Sequence, residues 1–299
     1  MIKSRITLKQ LEAFAYVVDA GSFRAAAKAL GTTQPNISAR ITALEETLDV
    51  TLLRRDAGSV RLTEKGETLL RKTRDVLWAG EALLEEAGRT NLIEQQLRLG
   101  VTELVACSWL QGFLRLLKQA YPEVRVELEV DISIRIEERL KDGSLDLAFQ
   151  TAPFKTEISG TLPLGIEDYV WVANAEIASK LGKSASVEQM FAFPVITHAK
   201  HTQAGNALHE LVEAHGLDRS QIVHSSALSA CVPMVCEGLG VAVLPKALVS
   251  NEIETERLFI IESDWLPDPL SFFARHHTER APLFVQNAAL LAADAMQAR

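Results

Sequence analysis

The stretch Gly21–Leu48, GSFRAAAKALGTTQPNISARITALEETL, leaves the chain few choices of fold. It reads as two short helices around a tight turn. Ser22 caps the first helix, over the alanine-rich Phe23–Leu30, and Gly31 supplies the turn. Thr33 is a good N-cap for the second, and Pro35 is tolerated in its first turn, where a missing N–H has no helical partner. Ile37, Ile41, Leu44 and Leu48 recur at spacings of four, three and four, which makes one apolar face. The opposite face carries Pro35, Asn36, Ser38, Ala39 and Thr42, all small or polar. A helix entering a DNA major groove needs such a face, because bulky groups hold it off the base edges. An ordinary surface hairpin has the same local pattern, so the flanking residues carry the distinction.

Before the hairpin, Thr7–Ala20 reads as a helix with Leu8, Leu11, Phe14 and Val18 on one stripe. After it comes VTLLRRDAGSVRLTEKG, two short extended arms around the turn Ala57-Gly58-Ser59. This is a wing beside the second helix, and Arg54, Arg55 and Arg61 on it are placed to meet phosphates or a minor groove. Charge agrees. The chain is net −8, yet residues 1–74 hold 13 Lys/Arg against 8 Asp/Glu (+5), and the rest hold 18 against 31 (−13). A basic head on an acidic body suits nucleic-acid binding.

Thr63 then caps a long helix to about Arg89. Leu69, Thr73, Val76, Gly80, Leu83 and Ala87 follow a 4, 3, 4, 3, 4 spacing, widened by Leu70, Leu77 and Leu84. That is a heptad seam suited to self-association. Gly88–Gln95 is polar and reads as a hinge. Beyond it, strand and helix alternate: Leu97–Val101, Glu103–Ala120, Val124–Val130, Ile134–Lys141, Leu145–Phe149. The order recurs at Pro194–Thr197, Ala204–His215, Gln221–Ser225, Leu228–Glu237 and Val241–Leu244. Two α/β halves imply two lobes with a ligand crevice beyond the carboxyl ends of the strands. Connections are expected near Gly160–Gly165 and Ser263–Pro269, and a last helix, Pro282–Ala298, returns to the first lobe.

At 299 residues, 47% hydrophobic and 23% charged, the chain has room for more than one globular domain. No apolar run approaches the roughly eighteen residues of a membrane span, and MIKSRITLKQLEAF lacks a signal-peptide core, so a cytoplasmic protein without membrane contact is expected. Cys107, Cys231 and Cys236 are too few for a disulfide framework and read as buried thiols. No P-loop, GxGxxG after a strand, GxSxG or HExxH is present, so no enzyme and no cofactor are expected. His198-x-x-His201 and the adjacent His276 and His277 lack the Cys or carboxylate partners of a closed metal site, and no metal is expected.

With these residues in view, the chain resembles a LysR-type transcriptional regulator over its whole length. The resemblance is carried by LxxLxxF at Leu8, Leu11 and Phe14, GSFxxAAxxL at Gly21–Leu30, QPxxS at Gln34, Pro35 and Ser38, ALE at Ala43–Glu45, and Leu62-Thr63 with Gly66. It implies an overall α/β fold. Its parts are a winged helix-turn-helix (1–63), a linker helix with hinge (64–92), and a two-lobed α/β effector domain resembling type 2 periplasmic binding proteins (93–299). Lobe I takes 93–162 and 269–299, lobe II 163–268. The implied partners are double-stranded promoter DNA, a small-molecule effector and further copies of the chain, as a dimer through the linker helix or a homotetramer, with room for RNA polymerase. The resemblance makes Gln34, Pro35 and Ser38 groove-facing and Arg55 the wing contact. Helix geometry adds Thr33, Asn36, Arg40 and Arg54. The family's arginine after the QPxxS serine is Ala39 here. Arg40, on the helix shoulder, is expected on a phosphate. The LFxR of the family is Leu52-Leu53-Arg54-Arg55, with Leu for Phe.

The same resemblance points to Thr102 and Glu103, after the first strand of lobe I, as effector contacts. Gln150 and Thr151 follow another strand of that lobe, and Thr197, His198, His201, Thr202 and Ser226 are expected to face them from lobe II. Hydroxyls, imidazoles and an amide suit a small polar anion or carboxylate, and Glu103 works against one. A cytoplasmic small-solute-binding module with an auxiliary helical head is the alternative. It accounts for the lobes but not for the head or the heptads.

Overall fold

The structure is a computed structural model and describes residues 6–56, 59–89, 96–198 and 202–298. Residues 90–95 of the expected hinge Gly88–Gln95, the wing-turn residues Ala57 and Gly58, and His201 lie outside the described residues.

The head is α1 (Leu8–Asp19), α2 (Phe23–Ala29) and α3 (Gln34–Leu48), followed by a hairpin of β1 (Leu53–Asp56) and β2 (Ser59–Leu62). Phe14, Val17, Ala26, Ile37, Ile41 and Leu44 are buried together, so α3 buries its expected face. On α1, Leu11, Phe14 and Val18 join the core, but Leu8 of the expected stripe is exposed and Val17 is buried instead. Ser22 Oγ accepts from the Ala25 N–H at 3.1 Å, the cap expected of it. Thr33 is the N-cap residue of α3, though its side chain makes no capping bond. Glu45 ties the wing to α3, since its Oε1 accepts from the N–H groups of Leu52 at 2.7 Å and Leu53 at 3.2 Å. Thr63 receives the Gly66 N–H at 2.9 Å and donates to the Thr51 carbonyl at 2.7 Å. Gly66 has to be glycine, because a Cβ there would lie 2.2 Å from the Leu52 carbonyl oxygen.

The linker helix α4 (Glu64–Glu86) uses Leu70 to complete the core of its own head, and Leu69 and Leu77 pack against that core. Val76 and Leu83, seven residues apart, are 47% and 70% exposed.

Beyond the linker come β3 (Gln96–Val101), α5 (Glu103–Cys107), α6 (Leu110–Ala120), β4 (Arg125–Val130), α7 (Ser133–Lys141), β5 (Leu147–Thr151) and β6 (Gly160–Glu167). The second lobe holds β7 (Tyr169–Ala173), α8 (Ala175–Leu181), α9 (Val187–Met190), β8 (Val195–His198), α10 (Gln203–His215), β9 (Ile222–Ser225), α11 (Leu228–Cys236), β10 (Val241–Pro245), α12 (Lys246–Glu254) and β11 (Phe259–Ile261). The chain returns through β12 (Leu270–His276) and α13 (Leu283–Gln297), which packs on α6 and β6. The two sheets run β4-β3-β5-β12-β6 and β11-β7-β10-β8-β9. Their centres are parallel as expected, while β12, β6, β7 and β11 pair antiparallel.

Two expectations need correction. Gly160–Gly165 is not a connection but most of β6, an edge strand, where Gly160, Pro163 and Gly165 are tolerated. The helix expected over Glu103–Ala120 breaks at Ser108 and Trp109, where the indole is buried against Phe149, with ring centroids 5.0 Å apart. Packing of one large ring overrides helix propensity there.

Head, linker and first lobe meet at one charged joint. The Arg74 guanidinium on α4 is 3% exposed. It pairs with Asp19 at the end of α1 and donates to the Asp142 carbonyl at 2.9 Å and Ser144 Oγ at 3.2 Å, in the turn after α7. Asp19 also lies 3.5 Å from Arg98 of β3, which is held by Asp146 through its own N–H (2.8 Å) and its Nε (3.1 Å). Alongside, Trp78 packs on Gly143, whose φ of +77° and lack of Cβ admit the ring. Arg280 pairs with Asp75 at 3.1 Å. Removing one member of a buried charged set strands the others. Arg74→Met is therefore expected to lower stability by roughly 2–4 kcal/mol in urea denaturation, discounted because Asp19 is partly solvated. Unchanged stability would show that the guanidinium contributes nothing net.

Candidate functional site

The exposed face of α3 presents Gln34, Pro35, Asn36, Ala39 and Thr42 to solvent, with Thr33 exposed just before it and Ser38 and Arg40 half-buried at its margins. The apolar side is buried, so the head offers this helix face outward. The wing follows α3 in sequence and is pinned to it by Glu45. Arg54 on β1 stands opposite Arg61 on β2, and both are exposed. Like charges across a short hairpin raise the local positive potential that a phosphate would meet. Arg55 belongs to β1, opposite Val60, but its side chain lies outside the description. Sequence reasoning overlooked Glu45, although it is the last letter of the ALE motif.

The second candidate site is the crevice between the lobes. Thr102 is the N-cap residue of α5, yet its side chain makes no capping bond, and its buried Oγ1 has no hydrogen-bond partner among the described residues. The same holds for the hydroxyl of Thr197, which is 1% exposed at the end of β8. Glu103 reaches across to lobe II. Its Oε2 accepts from the Leu228 N–H at 2.8 Å, and its Oε1 accepts from the Ser229 N–H at 3.0 Å and the Ser229 hydroxyl at 2.7 Å. His198 Nε2 is 3.9 Å from the same carboxylate and also bonds the Ser226 backbone. Burial lowers the pKa of His198 more than Glu103 raises it, so the imidazole is neutral at pH 7.

Other predicted residues are engaged elsewhere. Gln150 is fully buried, donating to the Ser133 carbonyl at 2.6 Å and accepting from Arg275 at 3.1 Å. Both ends of its amide are used within lobe I. Thr151 Oγ1 is 3.4 Å from Ser133 Oγ. Thr202 caps α10, accepting from the Gly205 N–H at 3.1 Å. The structure thus brings Thr102, Glu103, His198 and Ser226 into one neighbourhood and gives Gln150 and Thr202 local structural duties. Leu228 and Ser229 were missed. The sequence signal was Ala227, a helix N-cap position without a capping side chain.

Comparison with known proteins decides the family. Residues 8–67 match the model of the bacterial regulatory helix-turn-helix protein, lysR family, and residues 90–295 match the LysR substrate binding domain. The chain is a LysR-type transcriptional regulator. It is 34% identical over 254 residues to a probable hydrogen peroxide-inducible genes activator of Streptomyces viridosporus, covering 84% of this chain and 80% of that one. It is 26% identical to a probable RuBisCO transcriptional regulator of Thalassiosira pseudonana, covering 93% and 94%. Among solved structures, a full-length OxyR variant from Pseudomonas aeruginosa superposes with a TM-score of 0.76 at 22% identity, covering 98% of this chain and 95% of that one. The regulator therefore binds DNA through its head and carries an effector-binding domain, and its family is one of regulators and not of enzymes.

Charge in the crevice of this regulator is pH-sensitive. Burial pushes the Glu103 carboxyl up, but the Ser229 and Leu228 hydrogen bonds and nearby His198 outweigh it, so its pKa is lowered. The ionisable groups that feel it are His198 and the thiols of Cys107 and Cys231. A carboxylate with a depressed folded pKa stabilises above its unfolded pKa, and that contribution is lost as pH falls through the folded value. The melting temperature of the wild type is expected to exceed that of Glu103→Gln at pH 7, with the gap closing as pH drops below about 4.3. A gap independent of pH would mean that the carboxylate charge is irrelevant to the lobe contact.

Proposed function

We propose that this regulator reads operator DNA with α3 and responds to a small polar anion or carboxylate bound between its lobes. The division is a head to residue 63, a linker and hinge at 64–92, and the effector domain beyond. The observation that carries the effector reading is a pair of buried, unbonded hydroxyls, Thr102 and Thr197, at strand ends of the two lobes. Buried polar groups are nearly always satisfied, so two orphans in the neighbourhood of a lobe-bridging carboxylate and a neutral imidazole are a place prepared for a ligand. Similarity to a peroxide-inducible activator does not extend to peroxide chemistry on this reading. Thiolate is the reactive form, whereas burial pushes Cys231 up to about 11 and raises half-buried Cys236. Cys107 is exposed and not buried as expected, and its thiol is raised by partial desolvation and by Glu103.

On the DNA side, Thr33, Gln34, Pro35, Asn36 and Ser38 face the groove, and Arg40, Arg54 and Arg55 face phosphates. The exposed Val76 and Leu83 on α4 support pairing of two chains through the linker, which sets two recognition helices on two half-sites. Effector binding changes lobe closure, and the joint at Arg74 links lobe I to linker and head in the same chain. The effector acts only through its differential affinity for the two arrangements.

Two experiments test this reading. Arg54→Ala is expected to weaken binding to specific and random DNA alike and to lower the salt slope by about one, whereas Gln34→Ala and Ser38→Ala mainly erode sequence preference. Equal losses from both classes on both DNAs would sink the division of roles. A thermal-shift screen of carboxylates and inorganic anions is expected to find a stabilising compound that also alters the DNA footprint and loses its effect in Thr102→Val. A ligand that leaves both DNA affinity and footprint unchanged would overturn the coupling.

A further inference from the structure

We propose that Glu103 is a tethered stand-in for the carboxylate of an effector: it holds lobe II onto lobe I without any free ligand, and a carboxylate effector enters by displacing it. The inference rests on the crevice reading above and specifies how the site is regulated.

Helix α11 needs an anion at its start. Its first N–H groups have no intrahelical acceptors, and its N-cap residue is Ala227, which has no side-chain acceptor. Upstream, Ser226 is exposed, and Ser225 before it is engaged by Ala227 itself, accepting from its N–H at 3.2 Å and donating to its carbonyl at 2.7 Å. The acceptor comes instead from 125 residues away in sequence, across the crevice, where Glu103 takes the Leu228 N–H on one oxygen and both donors of Ser229 on the other. Such two-oxygen capture is how a helix terminus receives a bound carboxylate. The Glu103 side chain is 27% exposed, so a competing anion can reach it. The unbonded Thr102 and Thr197 hydroxyls are further donors that a free ligand would find and that Glu103 leaves unused. Because the same carboxylate belongs to one lobe and binds the other, its displacement couples ligand binding to loss of the contact that closes the empty protein.

The test is chemical rescue in the full-length protein. Melting temperatures of wild type, Glu103→Ala and Glu103→Gln are measured against sodium acetate, with sodium chloride at equal ionic strength as the reference. Glu103→Ala vacates the niche, so acetate is expected to raise its melting temperature at a concentration about tenfold lower than the wild type requires. Glu103→Gln keeps the shape and one acceptor oxygen without the charge, and is expected to fall between the two. That variant carries the test if Glu103→Ala does not fold. A response to acetate no larger than to chloride in both variants, or a wild type as responsive as they are, overturns the stand-in. If the wild type still responds to another ligand through Thr102, only the stand-in fails. If no compound acts on the wild type yet acetate rescues the variants, Glu103 is shown to fill a carboxylate niche, while the effector reading and displacement by an effector both fail.

Discussion

The guanidinium of Arg74 is the point on which the arrangement of this molecule turns. A charge this buried is tolerable only with partners on several sides. Here each partner comes from a different part of the chain: Asp19 from the head, Ser144 and the Asp142 carbonyl from the effector domain, while Arg74 itself sits on the linker helix. Arg98 extends the set by sharing Asp19 and gripping Asp146. One turn along α4, Trp78 lies against Gly143, and Arg280 stacks over the Trp78 ring at 5.6 Å while pairing with Asp75. Misplacing the head would leave the buried Arg74 without Asp19, and misplacing the effector domain would strip it of the Asp142 carbonyl and Ser144. The joint therefore sets where the basic head stands on the acidic body.

The contact between the lobes is built differently. Beside the crossover the buried Glu167 accepts from the Ala247 N–H at 2.6 Å, while across the crevice the contact rests on a partly exposed carboxylate, three hydrogen bonds and an imidazole at 3.9 Å. Such groups exchange readily with water or with a competing anion, whereas the joint at Arg74 does not. A molecule with one soft and one stiff connection in series responds to a ligand at the soft one. The stiff one carries the change onward as a rigid movement, and no chain of small displacements is required. On the proposed reading this is why the effector site sits between the lobes and not beside the linker.

Much of this was legible in the sequence, for reasons that differ by region. The head was legible because its apolar residues recur at helical spacing and its turns use Ser22 and Gly31 in their ordinary roles. Most parallel strands were legible as short apolar runs, and β4 by the alternation of Val126, Leu128 and Val130 with charged residues. The edge strand β6 was not, because Gly160, Pro163 and Gly165 signal a loop, and only pairing with β12 makes the segment extended. The joint was not legible either, since Asp19, Arg74, Arg98 and Asp146 are each unremarkable alone and are joined only by the fold. Glu103 was visible as an awkward charge in a proposed anion site. Its partner was not, although Ala227 at a helix start announced that a cap had to come from elsewhere.

Gln150 shows why position at a strand end does not by itself make a binding residue. Strand β5 is central in its sheet and almost wholly buried, as a strand covered on both faces must be, so its polar residue has to be satisfied inside. Arg275 does this, donating to Gln150 at 3.1 Å while pairing with Glu137 at 3.3 Å and lying 3.8 Å over the ring of Phe154. Glu137 in turn accepts from the N–H groups of Lys155 and Thr156, at 3.0 and 2.6 Å. The amide of Gln150 and the carboxylate of Glu137 are engaged within this cluster, and the Nε of Arg275 is its one buried polar atom without a partner among the described residues. Thr102 and Thr197 are the reverse case, with buried hydroxyls that no described residue engages. The distinction between a polar residue that builds the wall of the crevice and one that waits for an occupant is thus a matter of hydrogen-bond satisfaction, which strand spacing alone cannot express.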